Sequence, residues 1–167
     1  HPSTDMLIFK EESEAFTVAI GLSSDEKYFF ITTSDHNTSE QYYFKVDEII
    51  PKPKLIDKRK RGIIYSVNSW NGIFYKHTNE DAEDFKIEKT NDLEKKNWET
   101  FIAAREEVLI GGLIFLNNWI IRSETSNALS KLILRNPKNN EEEEIFFSDE
   151  KVIVPGVSLT QRDRNTD

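Results

Sequence analysis

Hydrolysis by a serine nucleophile needs the serine on a sharp strand-to-helix turn, typically G-x-S-x-G, with a base and an orienting acid within hydrogen-bond reach. The nearest string in this chain is Gly156-Val157-Ser158-Leu159-Thr160. It lacks the second glycine and falls on an expected strand, so Ser158 reads as structural. The histidines are His1, His36 and His77: one terminal, one in a turn, one ending a strand. None has the H-x-x-x-H spacing that places two imidazoles on one metal, so no metal is expected. With no cysteine, disulfides, thiolate zinc sites and cysteine nucleophiles are excluded together. That suits a reducing compartment, and the cytoplasm is the expected location. Gly111-Gly112 precedes an apolar strand, not a helix N-terminus that would cradle phosphate, so no cofactor is expected.

The charged residues come next. The chain carries 22 Lys+Arg against 30 Asp+Glu, a formal net charge of −8. A glycosidase site would need two carboxylates across a sugar, and sequence alone pairs none of them. Glu141 to Glu144 reads as a solvated hairpin edge that resists pairing with other chains. Lys58-Arg59-Lys60-Arg61 is one short basic run without a stripe of stacking aromatics, so no nucleic-acid partner is expected. The longest apolar run, Val108 to Leu116, is far shorter than a bilayer span, and no membrane partner is expected. HPSTDMLIFK has no initiator Met, basic region or apolar core, and reads as the interior of a longer gene product. Without a secretion signal, the sequon Asn37-Thr38-Ser39 carries little weight.

These residues need a scaffold. With 167 residues, 37% hydrophobic, and aromatics comprising 11 Phe, 5 Tyr and 3 Trp, the chain has the material for about one folded domain around a single core. Period-2 alternation of apolar residues, bounded by turn signals, gives many short strands and no convincing helix: the fold is all-β. Strands are expected from Phe16, Tyr28, Tyr42, Leu55, Ile63, Ile73, Phe85, Trp98, Val108, Trp119, Leu129, Glu144 and Val152. Turn residues separate them, Asn71-Gly72 among them.

In fours, these strands repeat every 45 residues or so, the period of propeller blades. YFFITT, IFYKHT and WIIRSE align as second strands, placing Thr33, Thr78 and Glu124 at equivalent ends. The strand before each is small and apolar, as an innermost strand must be: Ala19-Ile20-Gly21, Ser66-Val67-Asn68, Ile110-Gly111-Gly112. The expected architecture is about three four-stranded antiparallel blades of a larger β-propeller. Residues 1–15 would be the outer strand of a preceding blade; 16–61, 62–106 and 107–150 the three blades; and 151–167 the start of the next. Three blades cannot close a ring that needs at least four. An ordinary antiparallel sandwich is the alternative architecture.

In an up-and-down blade, the turn after the second strand and the link to the next blade emerge on one face. Glu40, Arg59, Lys60, Arg61, Arg105 and Glu106 are therefore expected on a shared charged rim. Either that rim engages a partner domain or the loops are simply charged.

The residues resemble the oligopeptidase B (protease II) branch of the prolyl oligopeptidase family of serine peptidases. The resemblance runs from MLIFKEESEAFTVAIGLSSDEKYFFI through Thr38-Ser39-Glu40, Arg59-Lys60-Arg61-Gly62 and Tyr65-Ser66-Val67 to Asn97-Trp98-Glu99, Arg105-Glu106, the glycine pair, Trp119-Ile120-Ile121 and Leu129. It departs from the family at Ala103-Ala104, where a proline is usual before Arg-Glu, at Ile64, usually Glu, and at Ala128, usually Gly. The resemblance implies a propeller of about seven blades capping an α/β-hydrolase domain that carries a Ser-Asp-His triad and acidic pockets for Arg or Lys. This chain would then be non-catalytic, gating access for short peptide substrates and docking the hydrolase domain through the six rim residues. Its partners would be that domain and the remaining blades of the same polypeptide, and as a fragment it could dimerise through edge strands. The alternatives are a prolyl oligopeptidase proper and a non-enzymatic propeller scaffold, although no Trp-Asp dipeptide ends a blade.

Overall fold

The computed structural model of the chain describes residues 5–145. Ser158 and the expected strand from Val152 lie outside them. Among the described residues there are twelve strands and no helix, in three four-stranded antiparallel sheets. The first holds β1 (Thr17–Leu22), β2 (Tyr28–Ser34), β3 (Ser39–Lys45) and β4 (Lys54–Leu55) in sequence order. The second holds β5 (Tyr65–Trp70), β6 (Ile73–Thr78), β7 (Lys86–Thr90) and β8 (Glu99–Ile102). The third holds β9 (Leu109–Phe115), β10 (Ile120–Ser126), β11 (Leu129–Arg135) and β12 (Glu142–Ile145). This is the all-β, blade-by-blade architecture the repeat predicts. Met6 to Glu12, expected as a strand, form none.

Turn chemistry fixes the registers. Asn71 and Gly72, at φ 52° and 78°, join Trp70 to its partner Ile73 in a two-residue hairpin of the type that needs positive φ twice. Asn127 and Ala128, at φ 49° and 61°, do the same between Ser126 and Leu129.

In place of one core, the chain divides into two compact units. One contains residues 5–81 and 87–102, with the first two sheets; the other contains 82–86 and 103–145, with the third. In the first unit Phe30, Ile56, Tyr65, Val67, Phe74 and Leu93 form a buried cluster, with Tyr28, Tyr43 and Trp98 packed on it. Each such side chain contributes about 1.5–3 kcal/mol by leaving water. A polar seam then joins β3 to β5. Ser39 Oγ donates to the Tyr65 carbonyl and accepts from the Tyr65 N–H, both at 2.7 Å, and Gln41 Oε1 accepts the Val67 N–H at 2.6 Å. This explains why β3 starts at Ser39 and not, as expected, at Tyr42. Ser39, Glu40 and Gln41 are buried polar residues whose side chains face a neighbouring backbone, so they carry no apolar strand signal. β1, expected as an innermost strand, has all six residues exposed.

In the second unit Gly111 and Gly112 sit opposite the single residue Ser123, between the pairs Arg122–Leu113 and Glu124–Ile110. A bulge of this kind leaves little room: a Cβ on Gly111 would lie 2.0 Å from Ser123 Oγ and 3.2 Å from its carbonyl oxygen.

Candidate functional site

The six rim residues fall into three groups. In the first unit, β3 carries Glu40 inward, 5% exposed. Its carboxylate accepts the Arg59 N–H at 3.0 Å, Arg59 Nε at 3.1 Å and the Tyr42 hydroxyl at 3.0 Å. Arg59 Nη2 also donates to Glu11 at 2.7 Å, and its guanidinium stacks 4.1 Å from the Phe16 ring centroid. Arg59 thereby ties the segment before β1 to β3. Burial opposes its charge, yet Glu11 and Glu40 together push its pKa above the ordinary value. The Ser13 N–H, and after it the Arg59 guanidinium, hold Glu11 below the usual carboxylate range. Burial and then Glu40 push the Tyr42 hydroxyl up.

The next group is the link into the second sheet, a tight turn closed by the Ile63 N–H on the Lys60 carbonyl at 2.9 Å. Lys60 pairs with Glu80, just past β6, and this raises the pKa of Lys60 and lowers that of Glu80. Arg61 stands exposed beside it, with no side-chain partner among the described residues.

The last group lies in the second unit, where the Val108 N–H closes a turn on the Arg105 carbonyl at 3.2 Å. Glu106, at its tip, is exposed. Arg105 pairs with Glu124 in the middle of β10. Glu124 is 1% exposed and also accepts Arg122 Nε at 2.7 Å. Arg122 in turn forks onto both oxygens of Glu142, at 2.8 Å each, and Arg135 reaches Glu142 at 2.5 Å. Arg122 first, then Arg135, hold the Glu142 carboxyl down to about 2 against the effect of burial. Burial opposes the Arg122 charge, but Glu142 and Glu124 push its pKa up. The acid run is therefore more than a solvated edge. Glu142 to Glu144 form part of β12, which starts two residues before the expected Glu144, because two arginines neutralise its first acid.

The structure thus brings Glu40 to Arg59 and leaves Arg61 and Glu106 exposed at turn tips, without a side-chain partner among the described residues. It gives Lys60 and Arg105 partners that were not anticipated. Glu11, Glu80, Arg122 and Glu142 were missed. A signal for one of these pairs was available: Arg122 and Glu124 are opposite charges two apart on an expected strand, hence on one face. Among the described residues no group of His, Asp and Glu is arranged to hold a metal, and no helix is long and apolar enough to cross a membrane.

Comparison with known proteins bears on the family and the fold. A sequence model described as the prolyl oligopeptidase N-terminal beta-propeller domain matches residues 1–166. The chain is 32% identical over 121 residues, 65% of its length, to "Protease 2" of Moraxella lacunata. It is 27% identical over 138 residues, 78% of its length, to "Dipeptidyl aminopeptidase BI" of Pseudoxanthomonas mexicana. It spans 18% of the length of each. Among solved structures, oligopeptidase B from Trypanosoma brucei matches over 90% of this chain and 23% of its own, with TM-score 0.80 and 19% identity. Prolyl oligopeptidase B from Galerina marginata matches over 98% of this chain and 24% of its own, with TM-score 0.75 and 15% identity. At these identities the structural likeness speaks for the fold.

Proposed function

Starting from a chain that belongs to the prolyl oligopeptidase N-terminal β-propeller family, we propose that it is the non-catalytic propeller segment of an oligopeptidase B-like serine peptidase. The parent enzyme cleaves short peptides after Arg or Lys, with an α/β-hydrolase domain on the same polypeptide supplying the triad. The propeller gates access to that active site and docks the catalytic domain. The observation that carries this reading is the 32% identity to Protease 2, joined by the sequence resemblance to the oligopeptidase B branch. The absence of cysteine fits a cytoplasmic enzyme. Within the proposal the rim residues have two jobs. Arg61 and Glu106, exposed at turn tips, are the charges offered to the catalytic domain. Glu40, Arg59, Lys60 and Arg105, already engaged in ion pairs, act by fixing the backbones that present them.

A second reading, cleavage after proline, draws on the family's own description. Assaying the full-length protein on fluorogenic peptides ending in Arg, Lys or Pro separates the two. Cleavage after Arg and Lys is expected; cleavage after Pro moves the assignment to the second reading, and no cleavage overturns both. Arg61→Glu and Glu106→Lys should change the salt dependence of kcat/KM. Unchanged kinetics in both would remove the docking role.

A further inference from the structure

The basic run Lys58 to Arg61, which the proposed function uses only in part, is split by the fold. Arg59 turns inward to Glu11 and Glu40, while Lys58 and Lys60 line a cleft of about 290 Å³ within the first unit. Lys76 on β6 and Lys96 before β8 line the same cleft. Four lysines thus face two lining carboxylates, Asp57 and Glu80, in a chain whose net charge is −8.

Most of these charges are already held in place. Lys76, whose side chain is 6% exposed, donates to Glu88 at 2.9 Å, lies 3.7 Å from Asp57 and sits 4.5 Å from the centroid of the Trp98 ring. Lys96 pairs with Asp57 at 3.1 Å, and Lys60 with Glu80. One cation of the cleft wall has no acceptor among the described residues. Lys58 is an exposed ammonium without a partner among the described residues. An ammonium is a strong point-charge partner for phosphate or carboxylate.

We propose that this cleft is a binding site for a small oxyanion, the phosphate or carboxylate group of a low-molecular-weight ligand. Lys58 supplies the uncompensated charge, and Lys60 and Lys96 the flanking field. The bound group sits in a wall already rigid, because Lys76, Asp57 and Glu88 fix one another. Arg59, by leaving the cleft for Glu11 and Glu40, sets the alternation that points Lys58 and Lys60 the other way. The site is independent of the peptidase assignment and of which bond the parent enzyme cleaves.

The test is calorimetric titration of the full-length protein with sodium phosphate and, separately, sodium glutarate, at constant ionic strength set by chloride. Saturable binding with a Kd of about 1 mM or tighter is expected for at least one, the range that two or three charge-assisted hydrogen bonds supply. Tighter binding of phosphate assigns a phosphorylated ligand, and tighter binding of glutarate a carboxylate. Lys58→Glu should weaken the bound anion about tenfold or more, the loss of one charge-assisted bond. Lys58→Arg should retain it, and the same charge reversal away from the cleft, Lys52→Glu, should leave it unchanged. Absence of saturable binding for both anions, or equal weakening by Lys58→Glu and Lys52→Glu, overturns the proposal.

Discussion

Lys60 with Glu80 and Arg105 with Glu124 are the same device one repeat apart. In each, the first residue of a link turn reaches an acid of the following second strand, Glu80 just past the end of β6 and Glu124 within β10. They differ in water. Lys60 and Glu80 keep 65% and 33% of their side-chain surface exposed, whereas Arg105 keeps 47% and Glu124 only 1%. An exposed pair gains little, because solvent screens the attraction and two long side chains lose freedom. A buried carboxylate must be compensated in full, since its desolvation costs several kcal/mol. Glu124 therefore recruits a second cation, Arg122, which is itself 4% exposed and needs Glu142. Once one charge is buried, the network has to grow until it reaches the surface.

The sharpest way to break this comparison is to delete each acid in turn. Glu124→Ala leaves Arg122 and Arg105 facing each other without their shared carboxylate, and should cost about 3–5 kcal/mol. Glu80→Ala should cost less than about 1 kcal/mol. Native-state hydrogen exchange of β10 and β6 amides in the full-length protein reads both. Similar losses at the two sites would mean that burial does not set the difference.

Glu142 extends the contrast to pH. Its folded value, about 2, lies below the ordinary 4.5. Its ion pairs therefore contribute in full above about pH 5 and are lost as pH falls through 4.5 toward 2. Allowing for its one-third exposure, the loss is about 2 kcal/mol. Protection of β11 and β12 amides should fall over that window, and Glu142→Gln should flatten the decline.

The glycine pair beside this network gives the next smaller effect. Gly111→Ala drives a Cβ against Ser123, part of it against a carbonyl that cannot rotate away. The expected cost is about 1–2 kcal/mol. Gly112→Ala meets nothing within 4 Å and should be close to neutral. Equal effects would show that the bulge is not held by close approach at Gly111.

The repeat was legible in the sequence because strands announce themselves by alternation, and the second strands align residue for residue. Ile31 and Thr33, Lys76 and Thr78, and Arg122 and Glu124 are buried in pairs at corresponding positions. That alignment also explains what was hidden. An apolar pair, a mixed pair and an ion pair occupy one structural place, so a hydrophobicity pattern finds the first and reads the last as surface. The rim suffered from the same ambiguity. Glu40 and Arg61 look alike as charged loop residues, but only the three donors around Glu40 make it internal. Partners distant in sequence, such as Glu11 for Arg59, leave no local trace.

The smallest expected effect tests the two hairpins against each other. Asn71-Gly72 and Asn127-Ala128 close the same kind of two-residue turn, and both second residues have positive φ, 78° and 61°. Gly72 takes that conformation without steric cost, whereas Ala128 carries a Cβ into the left-handed region at about 1–2 kcal/mol. Ala128→Gly removes that strain but gives the unfolded chain more freedom, which offsets part of the gain. The net expectation is a stabilisation of about 0.5–1 kcal/mol, seen as slower exchange at the Ser126 and Leu129 amides. Gly72→Ala should cost a similar amount at the β5–β6 hairpin. If Ala128→Gly instead loosens β10 and β11, the turn is held by the strands it joins, and the ion network on β10 sets the register without help from the hairpin.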